Sequence, residues 1–441
     1  MRSLRSLLAT DASRRARLRR ARRLAVPAVL VFVGALLAFR GELFAAAERA
    51  PARPVSAPER ELPRLGRAIA IDDASGRALA RFHAALRRAE AHEGQARIVV
   101  WGASHTAGDE YAGMLRRALQ ERFGDAGPGF VSPVKPFRGW NHRAAHADSG
   151  GAWRVLRGDR GPVGERYGLA GYAVESQAGG AWASLDTARA ETGPRHVGSY
   201  EVFFLEQPGG GRFEVRIDDR PAAVVDTDAE ATHAGYARFR VRDGAHRVTV
   251  RAMDDAPVRV FGVAMERDRS GVVLDTLGIP GSRARSHLRW DDALYREHLR
   301  RRRPDLVVLA YGTNESEDVD VPLRRYESDL RRVVRRVRGT APQASCLLIG
   351  PSDRPLAQAD GTWGPRPLTQ GVIDVQRRVA AEHGCGFFDL VAFMGGPMSM
   401  LEWVASDPPF AREDHVHLTW HAHRRLAEVL EAALLEGYDA E

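Results

Sequence analysis

The sequence predicts a three-layer α/β fold, a parallel sheet covered by helices on both faces, interrupted by an antiparallel β-sandwich. Three observations carry this. Short, continuously apolar runs such as RIVVWG (97–102) and PDLVVLAYG (304–312) alternate with amphipathic stretches, as strands buried on both faces do. Between about residues 146 and 268 the apolar period changes from 3.6 to 2. After 268 the alternation of apolar run and helix resumes.

Taken in order, the run 97–102 leads into a helical pattern over 109–124. There Met114, Leu115, Ala118 and Leu119 share a face, and Asp109 stands at the capping position. In the interrupting segment, RFEVRID (212–218) puts Phe213, Val215 and Ile217 on one face. RFRVR (238–242) does so with Phe239 and Val241, and RVTVRAM (247–253) with Val248 and Val250. The turn-forming PGGG, DDRP and RDGAH fall between them at sandwich-like spacing. Beyond it, 304–312 precedes a helix over 321–339 with Leu323, Tyr326, Leu330, Val333 and Val337 three and four residues apart. SCLLIGP (345–351) and GCGFFDL (384–390) flank a helix over 372–384. A last helix starts near Thr419 and turns Leu426, Val429, Leu430 and Ala433 inward.

A chain of 441 residues, 44% hydrophobic, has apolar content for two or three domains. Its formal charge of +8 is concentrated at one end. Residues 1–40 hold ten arginines against Asp11, so the other 401 residues sum to −1. A near-neutral body gives no support for a surface that tracks a nucleic-acid backbone, and nucleic acid is not expected as a partner. After the arginines comes LAVPAVLVFVGALLAF (24–39), sixteen uncharged residues reaching about 24 Å as a helix, against a hydrocarbon core of roughly 30 Å. With flanking residues it reads as a signal anchor over 24–44, behind a basic cytoplasmic segment 1–23; the alternative is a signal peptide cleaved at Ala45 and Ala47. Both place the remainder outside the cytoplasm. The proline-rich stretch 45–66 is a linker, with the α/β domain in two parts, 67–145 and 269–441, around the insert 146–268. The two cysteines, Cys346 and Cys385, each lie in an apolar stretch that reads as a strand; export permits a disulfide, and free buried thiols are the alternative.

Ligand sites in parallel α/β sheets lie at the carboxyl ends of the strands. Four stretches fall at such ends or in the last loop: GASH with Ser104, GIPG with Gly281, GTNE with Asn314 and DHVH with Asp414 and His417. A serine nucleophile needs a base within hydrogen-bond reach, and that base needs an acceptor on its other nitrogen. His417 and Asp414 can supply these from one loop. The backbone N–H groups of Ser104 and Gly281 and the side-chain amide of Asn314 can supply an oxyanion hole. Each alone has a bland reading as a turn or cap residue; their ordered occurrence gives the chemistry. His415, His421 and His423 crowd the same region, but without a carboxylate cluster they read as solvated histidines, and no metal or cofactor is expected.

In these four blocks the chain resembles the SGNH (GDSL-like) hydrolase superfamily, with its flavodoxin-like three-layer domain. Within it, the chain is similar to bacterial peptidoglycan O-acetylesterases that carry an inserted module like a carbohydrate-binding domain. FGDAGPGFV, LDTLGIPGSRA and FMGGPMSMLEW support that likeness, which covers about residues 80–436. The resemblance implies an extracytoplasmic serine esterase acting on an acetylated polysaccharide, peptidoglycan above all, through an acyl-enzyme. It leaves two alternatives, acyl transfer to a sugar by the same triad, and a wall-binding protein with a decayed site. One departure stands out. The family usually carries aspartate where this chain has Ala103, which puts the ordering of the serine loop in question.

Overall fold

The protein is described by a computed structural model over residues 65–438. The expected basic segment and anchor, and the linker up to residue 64, lie outside the described residues. Among the described residues no helix is long and apolar enough to cross a membrane.

The centre is a five-stranded parallel sheet of β1 (Gln95–Gly102), β2 (Gly271–Gly278), β3 (Leu306–Ala310), β4 (Ser345–Ile349) and β5 (Gly386–Phe388), in the order β2-β1-β3-β4-β5. Successive side chains point to opposite faces, so each strand feeds two cores. Ile98, Val100, Leu274, Val308 and Leu347 pack against α1 (Ala80–Glu90), α2 (Glu110–Phe123) and the last helix. Val99, Trp101, Val307, Leu309 and Leu348 pack on the other side against α3 (Asp292–Arg302), α4 (Leu323–Thr340) and α5 (Thr369–Glu382). The last helix is α6 (Trp420–Leu434), which buries Leu426, Val429, Leu430 and Ala433. Both faces are covered, as the unbroken apolar strands require.

Helix α2 departs from the expectation in two ways. Its inward face is Tyr111, Leu115, Leu119 and Phe123, with Met114 and Ala118 only half-buried at the edge. Asp109 does not cap it: the residue is left-handed (φ 55°) and its side chain makes no capping bond. That carboxylate is instead fully buried, paired with Arg116 through both oxygens, and accepts the Thr276 hydroxyl at 2.6 Å and the Arg143 N–H at 2.8 Å. Burial acts to raise its pKa, but the Arg116 guanidinium and these donors hold it below the usual value.

The insert is a sandwich of two antiparallel sheets. In one, the order is His233–Gly244, Val197–Glu206, Val258–Glu266, Tyr172–Ser176, Arg154–Arg157, and Gly129–Val131 also pairs with Val258–Glu266. The other runs His146–Gly150, Trp182–Asp186, Arg247–Ala252, Arg212–Ile217, Arg220–Asp226. Between them lie Val202, Phe204, Phe213, Val215, Val248, Val250 and Val260. The first sheet is buried on its outer face too, where Phe203, Leu205 and Phe261 join Trp290, Tyr295 and Leu299 of the α/β domain. This explains the unbroken apolar run VFFL (202–205) in a segment that otherwise alternates.

Cys346, within β4, and Cys385, immediately before β5, form a disulfide.

Candidate active site

Strand β1 ends at Gly102, and after Ala103 the chain turns into the short helix Ser104–Ala107. The turn is tight for a stated reason. A Cβ on Gly102 would strike the Thr106 side chain, and one on Gly278, at the end of β2, would fall on the backbone of Ala107. Only glycine lets the serine turn sit between the two strand ends.

His417 approaches Ser104 from the loop before α6. Its Nε2 is 3.1 Å from Ser104 Oγ, and its Nδ1 is 2.7 Å from Asp414 Oδ2. An ionised carboxylate only accepts, so Nδ1 carries the proton and Nε2 is left to accept the serine hydroxyl. Asp414 is fixed in turn: its Oδ1 accepts the N–H groups of Val416 and His417 at 3.0 and 2.9 Å. Partial burial acts to raise its pKa, but these backbone N–H groups and the His417 ring outweigh it and bring the value down to about 2.

The two remaining blocks meet this turn from either side, at the ends of strands that neighbour β1 on its two edges. The Gly102 carbonyl accepts the Ile279 N–H at 3.0 Å and the Ser282 hydroxyl at 3.3 Å. Gly281, between them, is exposed and left-handed (φ 81°) with open space where a Cβ would stand. Asn314 donates from Nδ2 to the Ser282 carbonyl at 2.9 Å, which fixes its amide against the glycine loop. All five expected residues, Ser104, Gly281, Asn314, Asp414 and His417, are thus gathered at the carboxyl edge of the sheet.

Two further residues hold these loops: Glu315, which the sequence did not single out, and His105, which the sequence reads as a neighbour of Ser104 rather than a base. Glu315, buried, accepts the Gly312 N–H at 3.0 Å and the Ala284 N–H at 2.8 Å, joining the asparagine loop to the glycine loop; burial pushes its pKa up. It is the fourth letter of GTNE, so the signal was present. His105 turns away from Ser104 and sets its Nε2 3.0 Å from the Val416 carbonyl. That oxygen only accepts, so His105 donates and ties the serine turn to the histidine loop. Its ring lies between those of His417 and His423, at 5.8 and 6.0 Å. Burial, and then the neighbouring His417, lower its pKa to about 4.

The other histidines are only in part the solvated groups expected. His423 is buried and stacks on Tyr111, His415 lies against Trp363 at 4.2 Å, and His421 against Phe410. Among the described residues no three His, Cys, Asp or Glu side chains converge as metal ligands would.

Residues 247–425 match the family model described as GDSL-like lipase/acylhydrolase. Among solved structures, a peptidoglycan O-acetylesterase aligns with 84% of this chain and 99% of its own, at 24% identity and a TM-score of 0.70. A family two carbohydrate esterase from Cellvibrio japonicus aligns with 67% of this chain and 98% of its own, at 14% identity and a TM-score of 0.27. An acetyl xylan esterase aligns with 37% and 80% at 19% identity and a TM-score of 0.28. The first shares the fold; the scores of the other two are too low to add to that. No curated protein matches by sequence.

Proposed function

For a chain with a GDSL-like acylhydrolase domain over 247–425 on an SGNH-hydrolase fold, we propose a serine esterase that removes O-acetyl groups from peptidoglycan or a similar polysaccharide outside the cytoplasm. The observation that carries this is the continuous relay from Ser104 Oγ to His417 Nε2 and from His417 Nδ1 to Asp414, at 3.1 and 2.7 Å.

The chemistry follows from these contacts. The Ser104 oxygen attacks the acetyl carbonyl as its proton passes to His417 Nε2, and Asp414 stabilises the imidazolium so formed. Negative charge develops on the former carbonyl oxygen. The Asn314 amide, which spends one proton on Ser282, keeps a second for it, beside the N–H groups of Gly281 and Ser104. Collapse breaks the bond to the sugar oxygen, which leaves with the proton from Nε2, and Ser104 carries the acetyl group. Water then attacks with His417 as base; acetate departs and the serine hydroxyl is restored. Transfer of the acetyl group to a second sugar would differ only in the acceptor.

The reading of location is supported by the arginine-rich lead, the apolar run 24–39 and the linker that follows. It is also supported by the Cys346–Cys385 disulfide, a bond that persists in oxidising compartments.

The test is acetate release from O-acetylated peptidoglycan and from an aryl acetate. Ser104→Ala abolishes both, and Asn314→Ala lowers turnover by about 10² to 10³. Wild-type rates in Ser104→Ala would overturn the mechanism. Acetyl appearing mainly on an added oligosaccharide acceptor would replace hydrolysis by transfer.

A further inference from the structure

Beside the glycine loop lies an open cleft of about 640 Å³, floored by Pro280, Gly281 and Ser282. Six arginines line it, Arg160, Arg283, Arg285, Arg289, Arg325 and Arg332, against two aspartates, Asp159 and Asp329. The acids near it are each shared between two arginines. Asp329 pairs with Arg325 and Arg332 at 3.0 and 3.2 Å, Asp318 with Arg283 and Arg285 at 2.6 and 3.2 Å, and Asp159 with Arg157 and Arg160 at 2.8 and 3.6 Å. Among the described residues Arg289 has no carboxylate partner; it donates to the Gly161 carbonyl at 2.6 Å. Positive charge is therefore in surplus. The heads of Arg160, Arg285, Arg325 and Arg332 are exposed and can turn to a ligand.

The cleft is held open by hydrogen bonds between insert and α/β domain. The Gly164 N–H donates to the Arg289 carbonyl at 2.7 Å, the Asp291 N–H to the Glu165 carbonyl at 3.1 Å, and the Arg157 guanidinium to the Pro280 carbonyl at 3.0 Å. One wall thus comes from the insert, the other from residues 283–289 and α4. None of the lining residues is aromatic, so the cleft lacks the stacking surface that grips uncharged sugar rings. It offers forked guanidinium donors, which match carboxylate and phosphate oxygens.

We propose that this cleft binds an anionic glycan, one that bears carboxylates or phosphates along its length, and delivers its acetyl esters to Ser104 past the Gly281 loop. The proposal rests on the esterase reading for the last step only; the binding itself does not. The insert then has a defined part, as half of the binding trough.

The test uses the full chain with Ser104→Ala, so that substrate survives, and measures binding to four polymers. These are O-acetylated peptidoglycan fragments with free carboxylates, the same fragments with carboxylates amidated, a phosphate-bearing teichoic polymer, and neutral acetylated xylan. The variant is Arg160→Ala with Arg285→Ala, which leaves Asp159 and Asp318 paired with Arg157 and Arg283. Two exposed ion contacts predict a loss of about 3- to 30-fold in affinity for the charged polymers, fading as salt is raised. With Ser104 restored, the ratio of kcat/KM on peptidoglycan to that on aryl acetate falls by the same factor through KM. Loss on amidation assigns carboxylate as the recognised group; tighter binding of the teichoic polymer assigns phosphate. Unchanged affinity in the double variant, or equal binding of neutral xylan, overturns the proposal even if esterase activity stands. An arginine-dependent affinity in a protein that cleaves no ester leaves the cleft in place and removes the esterase reading.

Discussion

Asp109→Ala is the most exacting perturbation of the serine loop. The carboxylate is wholly buried and lies five residues beyond Ser104, where it ties the turn to Thr276 on β2 and to the Arg143 backbone. Removing it leaves the Arg116 guanidinium, 2% exposed, with only the Leu274 carbonyl and the Thr276 hydroxyl, each at 3.2 Å. A buried charge stripped of its partner costs about 3–5 kcal/mol. At roughly 1.3 °C per kcal/mol for a protein this large, the melting temperature drops by roughly 4–6 °C. Well below melting, aryl acetate turnover falls by up to about 10²-fold as the serine turn loosens. Asp109→Ala with Arg116→Met removes both charges, and most of the lost stability returns while turnover stays low. The reasoning is refuted if the single variant melts within 2 °C of wild type, or if the double variant melts no higher than the single.

Acid should weaken the fold well above the range of ordinary carboxylates. His105, His142 and His298 are brought by burial to about 4, 3 and 3, and His287 and His423 are also held well below 6.5. Each stays neutral in the fold while the unfolded chain takes up a proton. Stability therefore declines as pH falls from about 6.5 towards 4, by up to about 1.4 kcal/mol per pH unit for each histidine; a flat melting temperature from pH 7 to 5 contradicts this. Asp414, with a value of about 2, stays ionised above pH 3. Its stabilising bonds are present above the unfolded value near 3.8 and fade only as pH drops towards 2, so it adds no inflection to the rate profile above pH 3. Asp414→Asn lowers the kcat plateau by about 10²- to 10⁴-fold, with the aryl acetate KM little changed; an undiminished plateau would remove Asp414 from the relay. Cys346→Ala with Cys385→Ala opens a link across 39 residues and costs about 4 kcal/mol by chain entropy, read as a drop of several degrees in melting temperature, and an unchanged value counts against the bond.

The parts of the fold legible in the sequence are those set by local period. Continuous apolar strands, amphipathic helices and the switch to alternation near residue 146 all report burial within a few residues of themselves. The ordered blocks also locate Ser104, Gly281, Asn314, Asp414 and His417 at one sheet edge, because parallel strands bring their carboxyl ends together. Long-range partnerships were not legible. Asp109 looks like a cap because its burial depends on more than Arg116 nearby: the Thr276 hydroxyl it accepts is 167 positions away. His423 looks solvated because nothing nearby in sequence reveals that Tyr111 covers it. The doubt raised by Ala103 has the same origin. Ala103 brings no carboxylate; the buried Asp109 carboxylate holds the chain just beyond the turn to Thr276 and Arg143, and His105 ties the turn itself to Val416. Gly129–Val131 is too short to show a period at all, and its place beside Val263–Met265 is visible only in the fold.

The sandwich has one more consequence, for the order in which the chain assembles. Strand β1 finds both its neighbours far downstream, pairing Gln95 with Gly271 and Ile98 with Leu306, so it leaves the ribosome without a partner. Closing the loop of 168 residues between Gly102 and Gly271 to unite it with β2 is entropically unfavourable and slow. Yet the two ends of the sandwich emerge side by side, with Asp125 bridged to Val272. Once the sandwich has folded, that long loop behaves as a short one, lowering the closure penalty by about 2–3 kcal/mol. The inserted sheets thereby act as a splint during synthesis. The serine turn takes shape only after they are complete, and the histidine that would activate it is made later still, beyond β5.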